Sequence, residues 1–142
     1  MIRVKLQCID NMRYISYNVC EVDVMKFKII FYETPDGKVP ARDFMCGLDS
    51  KMRAKIAGLI EVLSDKGTAL REPYTKHLDD GIFELRCRLG SNITRTLYFF
   101  YTGGKIVLTN GFVKKSIKTP PSMIDIAKKY RTDFFSRQEA QS

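Results

Sequence analysis

The chain is poor in the residues on which much protein chemistry depends. Its 142 residues hold one histidine, His77, and four cysteines, Cys8, Cys20, Cys46 and Cys87, scattered singly with no C-x-x-C pair. Neither a structural zinc site nor a disulfide framework is indicated, so the cysteines read as reduced thiols, mostly filling a core. No apolar run approaches the roughly 20 residues that span a bilayer. Arg3, Lys5, Asp10, Arg13, Glu21 and Asp23 interrupt any signal-peptide core near the start. The expectation is a soluble, cytoplasmic protein without membrane contact. No internal repeat or low-complexity tract is visible.

What is present is enough apolar material, 44% of residues, for one core. The formal net charge of +8 makes a polyanionic partner more natural than a neutral or cationic one. That charge is uneven: residues 1–24 are neutral overall, residues 25–75 carry +2 and residues 76–142 carry +6. Within the C-terminal half, Lys76, Arg86, Arg88, Arg95, Lys105, Lys114, Lys115 and Lys118 fall on expected strands or their turns, where a sheet can gather them on one face. A merely solvated sheet face is the bland alternative.

Residues 26–33 (KFKIIFYE) read as a strand ending at the turn Thr34-Pro35-Asp36-Gly37. Pro40 suits the first turn of a short helix through Phe44, with Gly47 as its C-terminal cap. A second helix begins at Asp49 or Ser50 and ends at Gly67, with Met52, Ile56, Leu59 and Leu63 forming one apolar stripe. Thr68 to Thr75 reads as a loop. Phe83, Leu85, Cys87 and Leu89 then alternate with Glu84, Arg86 and Arg88, the period of a half-buried strand. Turns at Gly90-Ser91-Asn92 and Thr102-Gly103-Gly104-Lys105 link it to strands Ile93 to Tyr101 and Ile106 to Val113 in an antiparallel meander. Thr119 is placed to cap a final helix with Pro120 or Pro121 in its first turn, and Met123, Ala127, Tyr130 and Phe134 make its stripe.

The order β, α, α, β, β, β, α describes an α+β domain: a small antiparallel sheet packed on one face by a helical hairpin and a C-terminal helix. Residues 1–24 read as an N-terminal arm or a misassigned start, because Met25 precedes the first clear strand; their pieces MIRVKL and MRYISYNV suit extra edge strands. The domain proper is expected over 25–136, with 137–142 as a frayed tail.

Three blocks in order carry a resemblance. They are Lys76-His77-Leu78-Asp79-Asp80-Gly81-Ile82-Phe83-Glu84-Leu85-Arg86, then Arg95-Thr96-Leu97-Tyr98-Phe99-Phe100, and then Gly111-Phe112-Val113-Lys114-Lys115 with Lys118-Thr119-Pro120. Together they resemble the phage-derived HigB-like branch of the RelE toxin superfamily, over roughly residues 26–132. The resemblance implies a RelE-like fold and the toxin of a type II toxin-antitoxin pair. It would be a metal-independent, cofactor-free endoribonuclease that cuts messenger RNA on the ribosome and is silenced by a helix-turn-helix, HigA-like antitoxin.

Cleavage through the 2′-hydroxyl needs a proton acceptor, positive charge around the crowded phosphate and a proton donor for the departing 5′ oxygen. The resemblance gives Arg86, Arg88 and Arg95 the phosphate and transition-state roles, and Lys114 and Lys115 the family's basic cluster. Lys76, His77, Lys118 and Tyr98 are the expected RNA contacts, with Tyr101 a second candidate for stacking on a base. Many relatives have a histidine where this chain has Asn110, so a lysine and arginine mechanism is preferred, with Lys114 or Lys115 lowered in pKa by neighbouring cations. Glu84 is either a base or an ion-pair partner of Arg86 or Arg95. Arg95 shares strand parity with Leu97 and Phe99, so either a bulge redirects it or that face is the cleft. A catalytically inactive RNA- or antitoxin-binding module of the same fold is the alternative, and a DNA-binding domain a third reading that lacks a recognition helix.

Overall fold

The computed structural model describes residues 26–141 and the backbone of strands β1 (Ile2–Leu6) and β2 (Ile15–Val19). Those two strands pair antiparallel with each other as a separate two-stranded sheet. They are therefore not the edge strands of the main sheet that the sequence suggests.

The main sheet has five strands in the order β3-β7-β6-β5-β4. They are β3 (Lys28–Phe31), β4 (Thr75–Asp79), β5 (Ile82–Leu89), β6 (Asn92–Tyr101) and β7 (Lys105–Val113). Strands β5, β6 and β7 are the expected meander. Two features differ from expectation. β3 runs parallel to β7, Lys28 opposite Lys105, so the sheet is mixed rather than antiparallel. The segment Thr75–Asp79 adds an outer strand, antiparallel to β5; its polar, exposed character hid it, because an edge strand with one solvated face carries little apolar periodicity.

Helix α1 (Pro40–Cys46) starts with Pro40 in its first turn and stops at Gly47. Helix α2 (Ser50–Lys66) is capped by Asp49, whose Oδ1 accepts from the Met52 amide at 2.9 Å. It ends at Gly67, where φ is +52° and the Phe27 ring fills the space that a side chain would need. Met52, Ile56, Ile60 and Leu63 point from α2 into a core shared with Ile29, Leu85, Tyr98 and Leu108. Each such side chain contributes about 1.5–3 kcal/mol.

Helix α3 (Pro121–Gln141) lies on the opposite face. Ala127 and Phe134, with Met123 and Tyr130 beside them, cover Tyr32, Ile82, Leu97, Phe99 and Val107. The helices thus flank the sheet on both sides, because the nearly all-apolar β6 offers two faces to bury. α3 continues to Gln141 rather than fraying at Arg137, whose guanidinium is held by Asp133 and by the Glu33 carbonyl. Cys87 is a buried free thiol as expected, but Cys46 is disulfide-bonded, which corrects the reading of all four cysteines as reduced.

Candidate functional site

α3 covers only part of its face of the sheet. Along β5 the residues facing that side run Ile82, Glu84, Arg86, Arg88, and along β6 they run Phe99, Leu97, Arg95. The face therefore changes from apolar to charged, and Arg86 and Arg95 stand directly opposite each other across the β5–β6 ladder. Two like charges in that position repel. A single carboxylate offsets them: Glu84, 1% exposed, accepts from Arg86 Nε at 2.9 Å and lies 3.3 Å from Arg95 Nε.

The second oxygen of Glu84 accepts from the Thr119 hydroxyl. Thr119 does not cap α3 with that hydroxyl; it ties the segment before α3 to the arginine cluster instead. Arg95 is 8% exposed, and its Nη1 donates to the Thr94 carbonyl at 3.1 Å. Its Nε is close to Glu84 but off the hydrogen-bond line, and is the one buried side-chain nitrogen or oxygen left without a hydrogen bond among the described residues. Burial first, then the Arg86 and Arg88 charges, lowers the Arg95 pKa from its ordinary value, against the pull of Glu84.

Lys114 reaches this face through an irregularity in β7. Thr96 pairs with Gly111 and Tyr98 with Leu108, so β7 spends one more residue than β6 over this stretch. The bulge reverses side-chain parity beyond Asn110 and turns Phe112 and Lys114 toward the arginine side. Arg95 thus stays in regular alternation, and the open alternatives for it resolve: its face is the cleft, and the residue that the bulge redirects is Lys114. Burial pushes the Lys114 pKa down, as do Arg95, Arg86 and Lys76. Its Nζ donates to the Ile117 carbonyl at 2.6 Å.

Two clefts meet at Arg86. One of about 230 Å³ is lined by Lys76, His77, Glu84, Arg86, Lys114, Lys118 and Thr119. A larger one of about 360 Å³ takes in Arg86, Arg88 and Arg95 together with Tyr74, Cys87 and Lys55. The structure therefore brings Arg86, Arg88, Arg95, Lys114, Lys76 and Lys118 to one region. Lys115 is exposed and lines neither cleft, as the residue next to Lys114 on an extended chain must.

Two aromatic candidates are elsewhere. Tyr98 is 1% exposed on the α2 side, its hydroxyl hydrogen-bonded to Thr75 and its ring between Phe83 and Phe100, with its pKa pushed up to about 12 by burial. It is a core residue with no route to a ligand. Tyr101 packs on Phe134 and Phe135 near the far end of the sheet. His77 lays its ring against Phe83, and its Nε2 accepts from the Gly81 amide at 3.1 Å, which occupies the lone pair that a base needs. Asn110 is structural: its Nδ2 donates to the Met123 carbonyl at 3.3 Å and anchors the start of α3 to β7.

Thr119, Lys55 and Tyr74 were not singled out from sequence as members of the site. Tyr74 had a weak signal, as an aromatic in a loop two residues before Lys76.

A family model described as phage-derived protein Gp49-like (DUF891) matches residues 43–132. The chain belongs to that family. The Gp49-like match runs from α1 into α3 and contains every cation of both clefts, so the family's segment and the charged face coincide. The Gp49-like family is a toxin-like family of phage-derived proteins. No curated protein is significantly similar to the chain. Among the described residues no helix is long and apolar enough to cross a membrane.

Proposed function

We propose that the chain is the toxin of a type II toxin-antitoxin pair, of the HigB-like branch of the RelE superfamily. On this reading it is a metal-independent endoribonuclease that cuts messenger RNA on the ribosome and is silenced by a helix-turn-helix antitoxin. One observation carries the reading: Arg86 and Arg95 share a single buried carboxylate, Glu84, and Lys114 lines the same cleft as Glu84 and Arg86, so positive charge exceeds negative where the clefts open. A phosphodiester is the complement of that surplus. Guanidinium groups held from behind suit it, since they bind two phosphate oxygens each and stay charged.

In the proposed reaction the ribose 2′ oxygen attacks the adjacent phosphorus while its proton passes to a base, and the bond from phosphorus to the 5′ oxygen breaks. The products are a 2′,3′-cyclic phosphate and a 5′ hydroxyl. Arg86 and Arg95 stabilise the extra negative charge on the phosphoryl oxygens, a role worth about 3–4 kcal/mol per donor. Lys114, whose proton is held less tightly than an ordinary lysine's, is the base. One ammonium group of the same cleft, Lys76 or Lys118, gives its proton to the leaving oxygen.

Producing the chain alone in a bacterial host tests this. Growth and translation arrest, and Arg86→Ala or Arg95→Ala relieves the arrest with protein levels unchanged. A well-expressed wild-type chain that leaves translation untouched overturns the enzyme. A second reading, an inactive RNA- or antitoxin-binding module, draws on Asn110 and His77, since the first is committed to α3 and the second has its Nε2 occupied. It predicts binding without new transcript ends.

A further inference from the structure

The two clefts differ in chemistry. The smaller is lined by Lys76, Lys114 and Lys118 around Glu84 and Thr119, whereas the larger sets Leu59, Pro73, Cys87 and Ile93 beside Lys55 and the three arginines, so its lining joins apolar surface to positive charge. A phosphate has no use for apolar walls. A flat, apolar-faced group delivered on a polyanionic chain does.

The larger cleft also has an edge. β4 begins at Thr75, and its pairing with β5 ends where the Arg86 amide donates to the Tyr74 carbonyl at 2.8 Å. Beyond that point β5 has no neighbouring strand on this side among the described residues. The next outward-facing peptide is that of Arg88: Lys55 donates to its carbonyl, and among the described residues no strand pairs with its amide N–H. Beside this edge stands Tyr74. Its amide donates to the Arg71 carbonyl and its carbonyl accepts from Arg86, so its backbone is held at both ends. The residue is nevertheless 52% exposed, and no other aromatic ring among the described residues packs on it.

We propose that this cleft holds one unstacked nucleobase of single-stranded RNA, stacked on Tyr74, with the free β5 edge at Arg88 meeting the base's hydrogen-bonding groups. The inference rests on the RNA reading of the neighbouring cations and adds a specificity element to it. Arg86, shared by both clefts, is the junction at which the base of one nucleotide and the phosphate of the next part company. Single-stranded RNA is commonly read in this way, with bases splayed onto aromatic rings and met along their edges.

The test uses the full chain and short single-stranded 2′-O-methyl RNAs, which cannot be cleaved, carrying 2-aminopurine at successive positions in low salt. The wild type quenches the fluorophore at one position. Tyr74→Ala abolishes that quench and weakens binding roughly tenfold, the usual effect of losing one stacked base. Tyr74→Phe keeps both, and an abasic residue at the quenched position weakens the wild type but not Tyr74→Ala. Circular dichroism confirms that the variants are folded. If the wild type binds these RNAs and Tyr74→Ala binds them equally with the same quench, the nucleobase site is wrong while the RNA reading survives. If the wild type binds none of them, the nucleobase site is wrong, and cleavage on the ribosome decides the RNA reading separately.

Discussion

Replacing Glu84 by alanine removes the only carboxylate among the residues that line the two clefts. Arg95, 8% exposed, is then left opposite Arg86 with no counterion, and Thr119 loses its acceptor. Breaking a buried ion pair from one side costs about 3–5 kcal/mol. Arg86 has a side-chain exposure of 26% and can turn partly to water, which places the expected loss near the lower end, about 3 kcal/mol. Urea unfolding at pH 7 measures it: with a slope of about 2 kcal/mol per molar, the midpoint falls by about 1.5 M. Glu84→Gln, which keeps the shape and an acceptor for Thr119 but not the charge, falls between. Millimolar inorganic phosphate restores part of the loss in Glu84→Ala, because an anion can take the vacated place between the guanidinium groups. A shift under about 0.5 kcal/mol, unaffected by phosphate, refutes the account of Glu84 as the anion that holds the arginines.

Lys114→Arg retains the positive charge but not the ability to give up a proton below the ordinary lysine range. The wild-type cleavage rate therefore rises with pH as Lys114 deprotonates below the ordinary lysine range, and the variant loses that rise in a single-turnover pH profile. Tyr98→Phe removes the hydroxyl bonded to Thr75 and lowers stability by about 1 kcal/mol in urea, with RNA cleavage unchanged. The same variant tests an alkaline effect. The folded-state pKa of Tyr98 is raised to about 12, above its ordinary value of 10, so the stability that its proton contributes is complete below pH 10 and is lost as pH rises toward 12. Thermal unfolding of Tyr98→Phe over that range shows a shallower decline than the wild type. Gly111→Ala places a methyl group against the Phe44 ring and lowers stability by about 1–3 kcal/mol, measured by thermal denaturation.

The local elements were legible because their signals are local. Asp49 caps α2, Gly67 ends it, and Met123, Ala127, Tyr130 and Phe134 pack as one stripe because spacing and special backbone angles are written within a few residues. The parallel pairing of β3 with β7 was not legible, since it joins segments about 75 residues apart and leaves no mark in either. Nor was the side to which Lys114 points. Alternation in IVLTNGFV cannot reveal a bulge, and one extra residue reverses the face of everything after it. Arg86, Arg88 and Arg95 could be expected on one sheet region from the period of two and from the resemblance, and the fold does bring them together. Tyr98 could not be rejected, because a tyrosine in a strand has the same sequence signature in a core as in a binding site. Thr119 was misjudged for a related reason: a threonine before Pro-Pro suits a helix cap, and only the tertiary fold brings it to Glu84.

The central claim is that Arg86, Arg95 and Lys114 act on one phosphodiester. Single-turnover cleavage of a message on purified ribosomes, with both new ends identified, tests it most directly. The account predicts a 2′,3′-cyclic phosphate or its hydrolysis product on one fragment and a 5′ hydroxyl on the other, with the rate down at least about 100-fold in Arg86→Ala and Arg95→Ala. Arginine variants that cut as fast as the wild type, or a 5′ phosphate on the downstream fragment, contradict it.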